Sequence, residues 1–281
     1  MSELVVRRLL VDLQTPFDKR WNGGDAFRSA YFNALSMSFP AGEQVFIDAV
    51  RRGVQQLPAE DQARWAAEVQ AFIGQEATHR RIHTLFNAQL AAQGFVNHWQ
   101  PRILRRRQQR LEGLPPRAWL GITAATEHLT AIFAEHLLAH PHSLQGAEPR
   151  LRDLWLWHAS EESEHRCTAF DLYHAVGGNL RWRRRLFYVV TWHFLTDLLR
   201  QTLHNLWRDG NWWHASTWAS AWQLLFSREG VLRLSLAPWR RYLREDFHPS
   251  QGDGAAGERW LAAHAELAPP VQAAKPAAQI G

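Results

Sequence analysis

A pairing of one carboxylate with one imidazole, present twice, constrains this chain more than any other feature. Glu76-Ala-Thr-His79 lies in AFIGQEATHRRIH, and Glu162-Ser-Glu-His165 lies in HASEESEHR. Residues three apart share a helix face, so each motif aims a carboxylate and an imidazole at the same spot. One such pair is common by chance. Here, however, a Glu sits on the helix before each: Glu43 is 33 residues ahead of Glu76, and Glu127 is 35 ahead of Glu162. Each half of the region therefore reads as a helix with Glu, a turn, and a helix with Glu-x-x-His. The pattern calls for four helices whose inner faces meet.

Punctuation along the chain supports helices and little else. Asp25 caps a first helix, with a second piece started or kinked at Pro40 and ended by Gly53. Pro58 opens a segment carrying Trp65, Val69, Phe72, Ile73 and Leu90 at helical spacing, closed by Gly94. A basic stretch from Arg102 to Leu111 leads to Pro115-Pro116. Helices over about 117–138 and from Pro149 to Gly177-Gly178 follow. Strand alternation is nearly absent. The predicted class is all-α: an N-terminal arm (1–24), a four-helix bundle (25–178), a Trp-rich helical extension packed on it (179–247) and a flexible tail (248–281). Within the tail, Trp260 and Leu261 are candidates to anchor a short piece. Eight of the 15 tryptophans fall in the extension.

The chain has 281 residues, 15 histidines and one cysteine. A single thiol excludes a disulfide framework, a zinc finger and an iron–sulfur cluster, so any metal must be held by His and carboxylates. Glu43 sits between Phe39 and Val45-Phe46-Ile47, and Glu127 sits in the apolar stretch GITAATEHLTAIF. A carboxylate there is costly to bury unless paired or bound to a cation. Two divalent metals would balance the four carboxylates, with neutral His79 and His165 completing the shell. In metal-free protein at least one carboxyl should keep a proton. The candidate ligands are Glu43, Glu76, His79, Glu127, Glu162 and His165. His83 and His158, each one helical turn from a motif, are extra ligands or groups that orient one. Cys167 reads as a small buried residue, His128 and His136 as surface or supporting groups, and Asp171 as a supporting one.

This ligand set is that of ferritin-like di-iron and di-manganese carboxylate bundles. The stretches FPAGEQVFIDAVRR, AFIGQEATHRRIHTLFN and HASEESEHRCTAFDLY, over roughly residues 25–245, resemble the bacterial family labelled predicted metal-dependent hydrolase. The resemblance implies a metal site built from the six ligands above, with His83 belonging to the pattern Gln-Glu-x-x-His-x-x-x-His.

Two chemistries compete for such a site. Carboxylate-rich ligation with two imidazoles suits iron, with manganese or zinc as alternatives, and ligands inside helices make a closed centre. On that argument the residues favour a di-iron enzyme that activates O2 to oxidise a hydrophobic substrate, such as a fatty acyl chain. His79 and His165 would hold one metal each, Glu76 and Glu162 would bridge, and Glu43 and Glu127 would be terminal or shifting ligands. The alternative, which the family label implies, is a hydrolase with two-metal-activated water. Ferroxidase-type metal binding without an organic substrate is a further alternative. The Trp-rich extension is a candidate cover for a substrate channel.

All but two of the 32 basic residues are arginine, and the formal net charge is +5. No nucleic-acid motif accompanies them, so no nucleic-acid partner is expected. The N-terminus has no secretory pattern, and no apolar run is long enough to span a bilayer. The cytoplasm is the expected compartment, with peripheral contact at the inner face of the membrane where Trp182 adjoins Arg183, Arg184 and Arg185.

Overall fold

A computed structural model describes residues 4–271. The described residues are all-α: ten α-helices with short 3-10 and π turns, and only isolated bridges in place of strands. Helices α1 (Ala26–Val54), α2 (Ala59–Ala92), α4 (Pro116–Ala139) and α5 (Pro149–His165) carry the two motifs and their preceding glutamates. Between α2 and α4 lie α3 (Trp99–Arg106) and a π turn, Arg107–Leu111. After α5 come α6 (Thr168–Ala175), α7 (Leu180–Asp209), α8 (Ala215–Phe226), α9 (Val231–Tyr242) and α10 (Ala255–Ala263). No helix among the described residues is long and apolar enough to cross a membrane.

The termini of the site helices follow their end residues. The Asp25 carboxylate accepts from Arg28 N at 2.9 Å, satisfying a free N–H at the start of α1. Glu60 and Asp61 lie in the first turn of α2, where the helix dipole favours acid. Gly94, at φ +86°, ends α2 in the left-handed conformation that a side chain would strain.

Pro40 neither starts a helix nor ends one; α1 runs through it. A proline there removes the N–H that would bond the Ser36 carbonyl. Asn87 Nδ2, from α2, donates to that carbonyl at 2.9 Å instead. The helix survives because a neighbouring helix supplies the missing donor. The long helix expected from Pro149 to Gly177 is, by contrast, interrupted. His165 closes α5, and the turn at Arg166 and Cys167 directs the Arg166 guanidinium to Glu135 (2.7 Å) and the Gly252 carbonyl (2.8 Å). Pro238 lies inside α9 without breaking it.

The extension is fastened to the bundle by buried polar groups. Asp197 on α7 takes Arg102 of α3 at 2.7 Å, and Asn205 donates to the Ala30 carbonyl of α1 at 3.1 Å. Residues 248–271 are not a loose tail. Helix α10 packs on α5 so closely that a Cβ on Gly257 would fall 3.0 Å from the Ser160 carbonyl. The strand-like return beyond it bonds the N-terminal arm: Leu10 N to Leu267 O at 2.8 Å and Val271 N to Val6 O at 2.8 Å. These donors and acceptors, together with buried Leu261 and Ala268, hold the segment. The rest of the expected tail, 272–281, lies outside the described residues.

Candidate metal centre

Helices α1, α2, α4 and α5 bring the eight sequence-selected side chains into one buried cluster. Glu43, Glu76, His79, His83, Glu127, His158, Glu162 and His165 are all buried. Two subsets could each surround an ion. Glu76, His79, Glu162 and His165 offer ligand atoms within 4.8 Å of one another, and so do Glu43, His83 and His158. The partition differs from the one expected by motif, since both motif histidines fall in the same subset. Glu127 joins the cluster through His165.

Each motif histidine is clamped from behind by a carboxylate. Nε2 of His79 lies 2.9 Å from Glu161 Oε2, and Nδ1 of His165 lies 3.0 Å from Glu127 Oε2. A carboxylate takes the proton-bearing nitrogen, so the other nitrogen points inward as a lone pair once the ring is neutral. Those inward atoms, His79 Nδ1 and His165 Nε2, have no hydrogen-bond partner. They face Glu162 Oε1 at 3.5 and 3.7 Å, and His165 Nε2 also faces Glu76 Oε1 at 3.5 Å.

A second chain of bonds fixes the tautomer of His158. Asn87 spends its amide N–H on the Ser36 carbonyl, which turns Oδ1 to the Ser36 hydroxyl; Ser36 Oγ donates to it at 2.8 Å. Ser36 Oγ must then accept from His83 Nδ1, 2.9 Å away. His83 Nε2 is left to accept from His158 Nδ1 at 2.6 Å. Burial, followed by the charges of neighbouring histidines, holds His83 well below the usual imidazole range. Burial likewise brings His158 down to about 4, so both rings are neutral near pH 7. His158 Nε2 therefore presents a bare lone pair to Glu162 Oε1 at 3.0 Å. Two acceptors facing each other at that distance need a cation between them, a proton or a metal.

Electrostatics across the cluster suit a cation. Burial, with repulsion from the other carboxylates, lifts Glu43 and Glu76 well above the usual carboxylate range. Glu127 is raised by burial despite the opposing charge of His165. Burial also opposes ionisation of Glu162, but the charge of His165 and the close approach of the His158 and His79 imidazoles override it and hold Glu162 well below that range. His79 is pulled down by burial, yet its bond to Glu161 and the nearby Glu162 carboxylate carry it up to about 10. Both oxygens of Glu43 and Glu76, Oε1 of Glu127 and Oε2 of Glu162 have no partner. Buried orphans of this kind are rare in folded proteins, and here they converge. Hard oxygen donors with imidazole nitrogens suit a divalent transition ion. The residues fit the metal that the motifs imply.

Sequence reasoning missed Glu161 and everything behind it. Glu161 is fully buried and bonds both His79 and Arg7 of the N-terminal arm. Arg7 also grips Glu164 with two bonds, at 2.7 and 3.0 Å, and Gln75 donates to the same carboxylate at 2.9 Å. A signal for Glu161 was present, since it stands three after His158 and four before His165. None existed for Arg7. Cys167 is partly buried and its thiol is raised to about 11, mainly by burial, so it is no nucleophile. His128 is half-buried, stacks on Tyr242 and donates to the Pro238 carbonyl at 3.1 Å, its ring turned away from the cluster. His136 bonds the Glu229 carbonyl, and Asp171 pairs with His248.

A cavity of about 320 Å³ reaches the cluster from outside. Glu43 and Glu162 stand at its inner end; Phe39, Phe46, Ile103, Leu186 and Phe194 are among its walls; Arg110, Leu114 and Val189 line its exposed mouth.

The family described as predicted metal-dependent hydrolase has a model that matches residues 5–253. No curated protein and no solved structure matches the chain. The family match overturns the preference for oxygen chemistry over hydrolysis. That preference rested on a closed site inside helices, whereas His165 closes its helix and the cavity opens the cluster to substrate. Matched over most of its length, with a convergent set of buried carboxylates and imidazoles, the chain belongs to the predicted metal-dependent hydrolases.

Proposed function

We propose that the protein hydrolyses an ester or amide of a hydrophobic acyl compound at a divalent-metal centre held by the buried carboxylate and histidine cluster. The observation that carries this reading is the apolar cavity ending on Glu43 and Glu162. An aqueous cleft would suit a polar substrate, whereas these walls repay burial of an alkyl or aryl chain by about 25 cal/mol per Å².

One ion would be held by Glu76, His79, Glu162 and His165, and a second would draw on Glu43 and His158 of the other group, where His158 Nε2 faces Glu162 at 3.0 Å. The metals would supply Lewis acidity toward the substrate's acyl oxygen and make a nearby water more acidic. The protein residues do the rest. Glu127 and Glu161 hold the two motif imidazoles in the required tautomer. The relay Asn87–Ser36–His83 holds His158. Glu43 has two free oxygens at the cavity end, so one can bind an ion while the other accepts the proton of the attacking water. The water oxygen bonds the acyl carbon, the bond to the leaving alkoxide or amine breaks, and Glu43 returns the proton to the leaving atom.

The test uses protein stripped of metal and reloaded with Fe, Mn or Zn, assayed on esters and amides of graded acyl length. Metal-dependent cleavage that improves with chain length is expected, with Glu43→Gln losing turnover and Glu76→Ala or Glu162→Ala losing bound metal. Full metal retention by both alanine variants, or no cleavage with any metal across the panel, would remove the reading.

A further inference from the structure

The outer face of α7 is apolar, continuous and exposed. Tyr188, Trp192, Leu195, Leu199, Leu203 and Trp207 recur every three or four residues and form one stripe about 28 Å long at 1.5 Å per residue. Trp192 is 69% exposed, Leu199 58% and Trp207 58%. Isolated exposed apolar side chains are ordinary, but a stripe of this length on one helix marks an interaction surface.

Charge selects the partner. Arg181, Arg184 and Arg185 are exposed at the start of the same helix. The acids of α7 itself are engaged elsewhere: Asp197 is buried against Arg102 and Arg106, and Asp209 pairs with Arg20. A second copy of this face brings no unengaged acid of α7 to meet them. An anionic lipid surface supplies the missing charge, takes the tryptophan rings at the headgroup level and lets the arginine stems lie along the acyl boundary.

The position of the cavity mouth adds a reason for the contact. Val189 belongs both to the exposed side of α7 and to the cavity lining, and Arg110 and Leu114 stand across the mouth from it. Arg110 has no carboxylate partner among the described residues, which leaves it free for a lipid phosphate or a substrate's acid group. We infer that the α7 face seats the protein on an anionic bilayer, so that a hydrophobic substrate passes from the lipid into the cavity without crossing water. The seating stands on the exposed face and its charge; the delivery rests on the substrate class proposed above.

Flotation of the full-length protein with vesicles tests this. Vesicles of phosphatidylcholine mixed with phosphatidylglycerol should carry the protein up, pure phosphatidylcholine should not, and added salt should release it. Arg181→Glu with Arg185→Glu should weaken binding about tenfold or more at low salt. Trp192→Glu with Leu199→Glu should abolish it with an unchanged melting temperature, since these side chains are exposed. The same variant should still cleave a water-soluble short-chain ester at the wild-type rate, so loss of seating is read separately from loss of catalysis. Absence of wild-type binding to anionic vesicles overturns the inference, as does full binding by the Trp192→Glu, Leu199→Glu variant. A dimer in light scattering that this variant turns into a monomer, without any vesicle binding, would make the face a self-association surface and equally overturn it.

Discussion

Arg7 Nη1 lies 3.3 Å from Glu161 Oε1, across 154 residues of sequence. Glu161 holds His79 from behind, so the N-terminal arm is part of the support of the metal centre. Arg7→Ala leaves a fully buried carboxylate without that partner. Breaking a buried pair from one side costs about 3 kcal/mol, and losing support behind a ligand weakens metal binding about 10- to 100-fold. Urea unfolding of metal-free protein and metal titration of the variant check both. Wild-type values in the two measurements would show the arm to be a bystander.

Metal binding should release protons. In metal-free protein His79 is raised to about 10 and so holds a proton near pH 7, while burial and mutual repulsion raise Glu43 and Glu76 well above the usual carboxylate range and favour their protonated forms. Ligation requires them bare, so affinity should rise with pH through the neutral range, with protons displaced, that of His79 among them. Calorimetric titration in buffers of different ionisation enthalpy counts them. A heat independent of buffer would mean that the ligands are already ionised.

Acid should destabilise the metal-free fold partly through His128, whose ring turns to Pro238 and Tyr242 and not into the cluster. Burial brings His128 down to about 4 from an ordinary value of 6.5. The native state keeps it neutral while the unfolded chain takes up a proton. Its stabilisation is therefore full above pH 6.5 and is lost as pH falls from 6.5 toward 4, at roughly a kcal/mol per pH unit. His79 behaves in the opposite sense: its contribution is full below 6.5 and lost as pH rises through about 10. His128→Phe keeps a ring against Tyr242 and removes the titrating group. Denaturant melts at a series of pH values should show a shallower acid limb for it. An unchanged limb would assign acid sensitivity to other groups.

Gly42 lies on the cavity wall beside Glu43, and a Cβ placed there meets nothing within 4 Å. Gly42→Leu should fold normally, gain up to about 1 kcal/mol from helix propensity, and fill part of the cavity. Cleavage of long acyl substrates should show KM raised about tenfold, with short ones spared and metal content unchanged. Equal effects on short and long substrates would place the acyl chain elsewhere.

The four-helix arrangement and the cluster were legible because their signals are local. Glu76 with His79, and Glu162 with His165, share a helix face by virtue of a three-residue spacing, and the apolar setting of Glu43 and Glu127 already marked them as buried. Capping by Asp25 and termination at Gly94 are equally short-range. What the tertiary structure decided involves partners far apart in the chain. Pro40 does not break α1 because Asn87 on another helix replaces the lost donor. The lone pair of His158 is aimed by a chain of bonds from α2 through α1 and back. Arg7 reaches Glu161 only once the arm has folded over α5. Periodicity records which face of a helix is apolar, but which neighbour covers that face is set by packing. The same packing turned part of α7 toward a cavity and left its Trp192 side uncovered.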